Sequence, residues 1–280
     1  MPHFSYSSIF TLGPAGTFSD EAAHRIDVSH SKIKYVKSFA EAALMLSTEA
    51  DSAAVLPIEN SVAGIVAPVQ DLLITEGLVI VAEINLPVRY TLLVNDALEK
   101  VSTHFAHPQA SEQTSKFTAK HLPESHVEFS NSNIDSGLRF IDASQQGKSA
   151  AAIVPASFAE KYPDSIHATD IQDYKSNTTR FIVVEKEKEG IRWDLTQQKT
   201  SLFIEFEDDR AGLLYNLLSI FNRYGINMCR LESRPSKDTP WFYVFYIDFS
   251  NNQNSQQCIE ALGISPFRCK VLGSYSLIRS

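Results

Sequence analysis

Four short segments of this sequence carry side chains suited to holding an anion and moving a proton, and each stands at the end of an apolar run. Asn177-Thr178-Thr179-Arg180-Phe181 precedes Ile182-Val183-Val184 and offers amide, hydroxyl and fixed cation at the mouth of a strand. A core strand has no use for those groups, whereas a bound anion does. Pro57-Ile58-Glu59-Asn60-Ser61-Val62-Ala63-Gly64 stands between an apolar run and a helical stretch. Glu59 there could orient donors or carry a proton, or serve as a solvated ion-pair partner, and Asn60 and Ser61 are natural helix caps. Gly13-Pro14-Ala15-Gly16-Thr17-Phe18-Ser19 opens the first helix, where free N–H groups and the helix dipole favour an anion. A tight turn with Ser19 as N-cap is the structural alternative. His107-Pro108-Gln109-Ala110 repeats the arrangement further on, with Pro108 suited to a first helical turn and His107 suited to proton chemistry or to a local hydrogen bond.

Strand periodicity constrains the first of these segments. If regular strand begins at Thr178, alternation puts Thr179 and Phe181 on one face and Thr178 and Arg180 on the other. Thr179 and Arg180 then share a pocket only if the strand begins after them.

The elements that position these segments divide at Glu185-Lys186-Glu187-Lys188-Glu189-Gly190, a polar run read as a linker. Before it, short apolar runs (9–12, 33–36, 53–56, 78–84) alternate with helical stretches (19–26, 39–48, 65–75), the pattern of an α/β sheet. A second set follows, with strands at 90–94, 103–106, 127–129 and 150–154 and helices at 109–121 and 134–145. Two similar lobes are expected, lobe one from about 1–86 plus 176–190 and lobe two from about 87–175, with the default site in the cleft between them. After the linker, strand 201–206, helix 211–224, strands 228–233 and 241–249, helix 253–262 and strand 271–277 form a βαββαβ unit, the ferredoxin-like arrangement.

Composition narrows the function classes. The chain has 280 residues, 44% apolar and 21% charged, with three cysteines at no metal-ligand spacing, which fits free thiols and a cytoplasmic setting. No long apolar stretch suggests a membrane span, and no leader pattern opens the sequence. Residues 1–190 hold 15 basic against 24 acidic side chains, so the body has no basic stripe for nucleic acid.

Taken together, the four segments resemble the prephenate dehydratase family, whose GPxGTFS, PIENS, HPQA and NxTRF motifs match residues 13–19, 57–61, 107–110 and 177–181 in order. The region after the linker is similar to an ACT domain, with Leu231-Glu232-Ser233-Arg234-Pro235 like an ESRP segment and Gly212-Leu213-Leu214-Tyr215 like a GAL-type segment. Leu213 stands where a small Ala is common, and Ala211 where Pro is usual. The resemblance implies a two-lobed, periplasmic-binding-protein-like catalytic domain over 1–190 and an ACT regulatory domain over 199–280. It implies decarboxylative dehydration of prephenate to phenylpyruvate in phenylalanine biosynthesis, with no metal or organic cofactor, feedback control by L-phenylalanine, and a homo-dimer or homo-tetramer. Nothing before Phe10 has room for a chorismate mutase bundle, so a monofunctional enzyme is expected.

The resemblance also assigns roles. Thr179, Arg180, Phe181 and Glu59 are the expected catalytic residues, and Thr17, Asn60, Ser61, Gly64, His107, Gln109, Ala110 and Asn177 the expected substrate contacts. Gly212, Leu213, Leu214, Glu232, Ser233 and Arg234 are the expected effector site. A threonine hydroxyl is too weak an acid to act as His or Glu would, so Thr179 is expected to donate a hydrogen bond or relay a proton from water or from Glu59. Arogenate dehydratase, which runs the same reaction on the aminated substrate, and a non-catalytic amino-acid sensor are the alternative readings.

Overall fold

A computed structural model of the chain describes residues 5–27, 31–188, 193–208, 210–237, 239–264 and 266–278. Lobe one opens with β1 (Ser8–Leu12), α1 (Phe18–His24), β2 (Ile33–Val36), α2 (Phe39–Thr48), β3 (Ser52–Asn60), the two-residue β4 (Gly64–Ile65), α3 (Ala67–Thr75) and β5 (Leu78–Pro87). Lobe two holds β6 (Tyr90–Val94), β7 (Thr103–Ala106), α4 (Pro108–Gln113), α5 (Ser115–His121), β8 (His126–Phe129), α6 (Asn133–Gln145), β9 (Ala150–Pro155), α7 (Ala156–Ala159) and β10 (Ile166–Ala168). The chain then returns to lobe one as β11 (Thr178–Lys186). Last come β12 (Lys199–Phe206), α8 (Leu213–Arg223), β13 (Met228–Pro235), β14 (Tyr243–Ser250), α9 (Ser255–Ile264) and β15 (Phe267–Leu277), in βαββαβ order.

In lobe one β1 runs parallel to β2 and β3, and β11 enters antiparallel between β3 and β5. Lobe two has the order β10-β6-β9-β7-β8. Both sheets read as continuous apolar runs because helices cover both faces, as in β3, where residues 53–56 are fully buried. The two lobes are joined by two crossing strands that run side by side: Val88 N donates to Asn177 O at 2.9 Å just beyond the β5–β11 ladder.

The C-terminal strands do not form a separate layer. Parallel pairing of β15 with β5, Ser276 with Ala82 and Leu277 with Glu83, joins them to lobe one in one sheet of order β13-β14-β12-β15-β5-β11-β3-β1-β2, with β4 on β3. Residues 244–249 of β14 are buried on both faces for this reason. Phe245, Ile247 and Phe249 pack under α8 and α9, while Val244 and Tyr246 join the core that holds Ile80, Ile182 and Val184 of lobe one. Among the described residues no helix is long and apolar enough to cross a membrane.

Several local expectations change for physical reasons. The helix expected over 109–121 is two helices, because Thr114 leaves helical geometry and Asp173 accepts from Lys116 N at 3.2 Å and from Ser115 Oγ at 3.0 Å, capping a fresh start. Thr17, not Ser19, caps α1 by accepting from Asp20 N. Asn60 and Ser61 cap no helix, because β3 runs on through Asn60 and α3 begins only at Ala67. The expected linker also begins late, since Glu185 and Lys186 still pair with Val79 and Leu78, while Glu189 and Gly190 lie outside the described residues.

Gly273 marks where the C-terminal strands meet lobe one. A Cβ there would stand 2.1 Å from the Ile80 carbonyl oxygen and 2.9 Å from Ile80 Cβ, so only glycine permits this approach of backbones. Gly273→Ala is expected to lower unfolding free energy by about 1–3 kcal/mol. Urea titration checks this, and an unchanged midpoint would mean that β15 and β5 are not tightly coupled.

Candidate functional site

The amide of Asn60, at the end of β3, organises the strand end. Its Oδ1 accepts from Val62 N at 3.0 Å and Ala63 N at 2.8 Å, which fixes which end of the amide is oxygen. Its Nδ2 therefore points at acceptors, and donates to Asn177 Oδ1 at 2.8 Å and to Thr179 Oγ1 at 2.9 Å. Asn177 in turn donates from Nδ2 to Gln113 Oε1 at 2.9 Å, linking the return strand to α4 of lobe two. Asn60, Asn177 and Gln113 are all buried. With one lone pair of Thr179 taken by Asn60, the hydroxyl proton of Thr179 remains to be given to something else. A hydroxyl so held is a donor at a fixed position.

Arg180 looks the other way. Thr179 pairs with Asn60 and Arg180 with Glu59 across β11 and β3, so Asn60 and Thr179 share one face while Glu59 and Arg180 share the opposite one. On that face Arg180 donates from Nε to Glu83 Oε2 at 2.9 Å, from Nη1 to Asp248 Oδ2 at 2.6 Å and from Nη2 to the Tyr275 hydroxyl at 2.8 Å. Glu59 lies 3.6 Å from Arg180 and 3.7 Å from Arg230, and Lys199 Nζ reaches Glu83 at 2.8 Å. Three cations thus meet three carboxylates between lobe one and the C-terminal strands. Burial works to raise the Asp248 carboxyl, but Arg180 and Arg230 outweigh it and hold it below the usual carboxylate range. Burial likewise works to lower the Arg180 guanidinium, and Asp248, Tyr275 and Glu83 push it above its ordinary value.

The remaining expected site residues are distributed around the lobes. Phe181 is buried with Ile9, Ala82 and Ile84 on the same face as Thr179, beneath it rather than on an open surface. Thr17 sits in the turn before α1, whose start is already occupied: Asp20 accepts from Gly16 N at 2.6 Å and from the Tyr35 hydroxyl at 2.7 Å. The same segment touches lobe two through Phe18, edge-to-face with Tyr90 at 5.7 Å between centroids. Ser61 Oγ accepts from Thr178 N at 3.0 Å, and Gly64, the first residue of β4, takes a positive φ of 82° that favours glycine. His107 caps α4 by accepting from Gln109 N at 3.4 Å, and burial lowers its pKa, leaving it neutral at pH 7. Ala110 is core, and Gln109 is exposed. The structure therefore brings Asn60, Asn177 and Thr179 into one network and leaves His107 and Gln109 at the far end of α4 from Gln113.

Comparison with known proteins decides what this arrangement belongs to: the sequence model of the prephenate dehydratase family matches residues 9–189. The chain belongs to the prephenate dehydratase family. A prephenate dehydratase of Methanocaldococcus jannaschii is 33% identical over 275 residues, covering 95% of this chain and 97% of that protein. Among solved structures, a prephenate dehydratase of Staphylococcus aureus superposes with a TM-score of 0.82 at 26% identity, over 96% of this chain and 99% of that one. A prephenate dehydratase of Arthrobacter aurescens in complex with L-Phe gives a TM-score of 0.83 at 26% identity, over 97% of this chain and 90% of that one.

In this member of the family the C-terminal strands carry a cavity of about 330 Å³. Gly212, Leu213, Leu214 and Ser233 line it, together with aromatic residues such as Trp241 and Phe245. Glu232 and Arg234 are not part of its lining; Arg234 instead donates to Asp71 Oδ1 and Ala67 O of α3, each at 2.9 Å. Among the described residues no group of three or more His, Cys, Asp or Glu side chains could hold a metal ion. Sequence reasoning missed Gln113, Glu83, Asp248 and Tyr275. The available signals were Asp248 and Glu83, carboxylates inside the apolar runs of β14 and β5 that require buried partners.

Two outcomes follow from these networks. Gln113→Leu leaves the Asn177 amide without its acceptor and is expected to cost about 1–3 kcal/mol in urea unfolding; no loss would remove Gln113 from the network. Because the folded Asp248 carboxyl is depressed, its contribution is present above its unfolded value of about 3.9 and is lost as pH falls through the lower folded value. The difference in urea midpoint between the parent and Asp248→Asn is therefore expected to be widest above about pH 4, the unfolded carboxylate range, and to narrow as pH falls below it. A gap independent of pH would contradict the assignment.

Proposed function

We propose that this chain catalyses the decarboxylative dehydration of prephenate to phenylpyruvate, with Thr179 as the donor to the departing ring oxygen. The carbon–oxygen bond breaks with its electron pair going to oxygen. The bond to the ring carboxylate breaks with its pair going into the ring, which becomes aromatic as carbon dioxide leaves. The hydroxide takes up one proton and departs as water. What supports Thr179 is the fixed direction of its hydroxyl: Asn60 occupies an acceptor site, so the proton is free to meet negative charge developing on the leaving oxygen. Such a donor, already in place, requires no reorganisation during reaction. The proton that completes water comes from solvent rather than from Glu59, whose neighbours are Arg180 and Arg230 on the opposite face.

Arg180 is neutralised by Glu83 and Asp248. We therefore assign the substrate carboxylates to hydroxyl, amide and backbone donors in the segments around Thr17, Ser61, Gly64, His107 and Gln109. Residues 1–190 are the catalytic unit in this reading, and residues 199–280 an ACT unit that takes L-phenylalanine in the cavity beside Gly212 and Leu213. An apolar side chain suits that lining. The outer strand β13 ends the sheet, with Leu231 and neighbouring Tyr243 exposed, which favours a homo-dimer or a homo-tetramer built from it. A cytoplasmic setting accords with the free thiols of Cys229, Cys258 and Cys269.

Incubating the purified protein with prephenate, and separately with arogenate, while following phenylpyruvate and phenylalanine tests the reaction. Turnover of prephenate is expected; turnover of arogenate alone would move the substrate to the aminated compound, and neither product would remove the enzyme reading. Thr179→Ala is expected to lower kcat by about a hundredfold or more with a smaller change in KM, the size seen on removing one positioned donor. A rise in KM alone would refute the role. Added L-phenylalanine should change the rate, and turnover indifferent to it would remove the regulatory reading.

A further inference from the structure

Both Nη groups of the guanidinium beside Thr179 donate to side chains from outside the lobe that carries it. Asp248 on β14 and Tyr275 on β15 take Nη1 and Nη2 of Arg180 at 2.6 and 2.8 Å, while lobe one supplies Glu83 on β5 at Nε and, at 3.6 Å, Glu59 on β3. The protons of this cluster can be placed. The Asp248 carboxylate only accepts, so Ser201 Oγ donates to its Oδ1 at 2.6 Å; Ser201 must then accept from the Tyr275 hydroxyl at 2.6 Å, whose oxygen accepts from Arg180. Arg180, Asp248, Ser201 and Tyr275 form a closed ring of hydrogen bonds with every member buried or nearly so. Such a ring fixes the plane of the guanidinium.

The backbone at this point has an interrupted ladder on one side only. Pairing of β11 with β3 shifts register directly after Arg180, where Phe181 meets Pro57 and Ile58 is left as the extra residue. The bulge is on β3, which it allows to bend away, while the β11–β5 ladder runs unbroken from Thr178 to Val183. The dipeptide Thr179-Arg180 therefore stands beside the interruption, with its first side chain on Asn60 and its second in the ring.

We propose that Asp248 is a positioning residue for the dehydration: through Arg180 it sets where the Thr179 hydroxyl stands, so the C-terminal unit completes the catalytic geometry of lobe one. This rests on the reading of Thr179 as the leaving-group donor. Removing the charge of Asp248 would leave Arg180 and Arg230 facing each other with one carboxylate fewer, and Arg180 would move toward Glu83, carrying β11 with it.

The test uses the full chain with Asp248→Asn, which keeps the side chain's shape. At a temperature where circular dichroism shows the variant folded, kcat for prephenate is expected to fall at least fivefold with KM within twofold. The side-chain amide signals of Asn60 in a ¹H–¹⁵N spectrum should shift, since they report the bond to Thr179. Asp71→Asn is the control, because Asp71 pairs with Arg234 and Lys237 across the same junction without touching Arg180; its kcat is expected within twofold of the parent. A folded Asp248→Asn protein with parental kcat and unshifted Asn60 signals would overturn the proposal. So would an equal loss in Asp71→Asn, which would make the effect one of docking in general. If Asp248→Asn does not fold, Tyr275→Phe removes one bond of the ring and no charge; it should lower kcat at least twofold and shift the same signals, and absence of both effects would overturn the proposal. A parent protein that fails to turn over prephenate refutes the functional reading instead, while the Asn60 signals still report whether Asp248 positions Thr179.

Discussion

Everything around the site depends on one strand having two faces. In β11, Thr179, Phe181 and Val183 look toward the α1 side of lobe one, and Arg180, Ile182 and Val184 toward the α2, α3 and C-terminal side. The period of two is a property of the pleated backbone, so no choice of side chain can bring Thr179 and Arg180 to the same place while the strand is regular. The adjacent polar residues are consequently committed to different tasks. One belongs to an amide network that ties the lobes together, the other to an ionic cluster that ties lobe one to the C-terminal strands.

The two networks differ in kind. The amide network, Gln113 to Asn177 to Asn60 to Thr179, is uncharged, and each pair has donor matched to acceptor, so its burial carries little electrostatic penalty. The ionic cluster balances Arg180, Arg230 and Lys199 against Glu59, Glu83 and Asp248 in a region where Glu83 is only 1% exposed. Buried ion pairs add little net stability over apolar packing, yet losing one member is costly, about 3–5 kcal/mol, because its partners remain charged. Specific geometry is what such a cluster contributes. Apolar packing of Tyr246, Leu272 and Tyr275 against Ile80 and Ile182 supplies the adhesion at the same junction.

Much of this was legible in the sequence. Alternating apolar runs gave the two α/β lobes and the βαββαβ unit, and the period of two separates Thr179 from Arg180 once the strand is known to begin at Thr178. The polar segments at strand ends identified Asn60, Asn177 and Thr179, which do meet. What could not be read was which distant groups each would meet. Arg180 and Asp248 are 68 positions apart and Asn177 and Gln113 are 64 apart, and neither pair has a periodic signature. Helix boundaries failed where a remote side chain intervened, as Asp173 does at Ser115. The expected pocket role of Arg234 likewise gave way to a partner, Asp71, that no local pattern announces.

The pairing of β5 with both β11 and β15 has a consequence for how the molecule comes into being. As the chain is synthesised, β5 appears early, yet one of its edges waits for β11 and part of the other for β15. An apolar strand with open edges is a template for pairing with other chains, and contacts between residues far apart in sequence form slowly. Part of one edge of β5 therefore has no partner strand until Ser276 and Leu277 have been made. The strand that closes this edge is the last in chain order among the described strands.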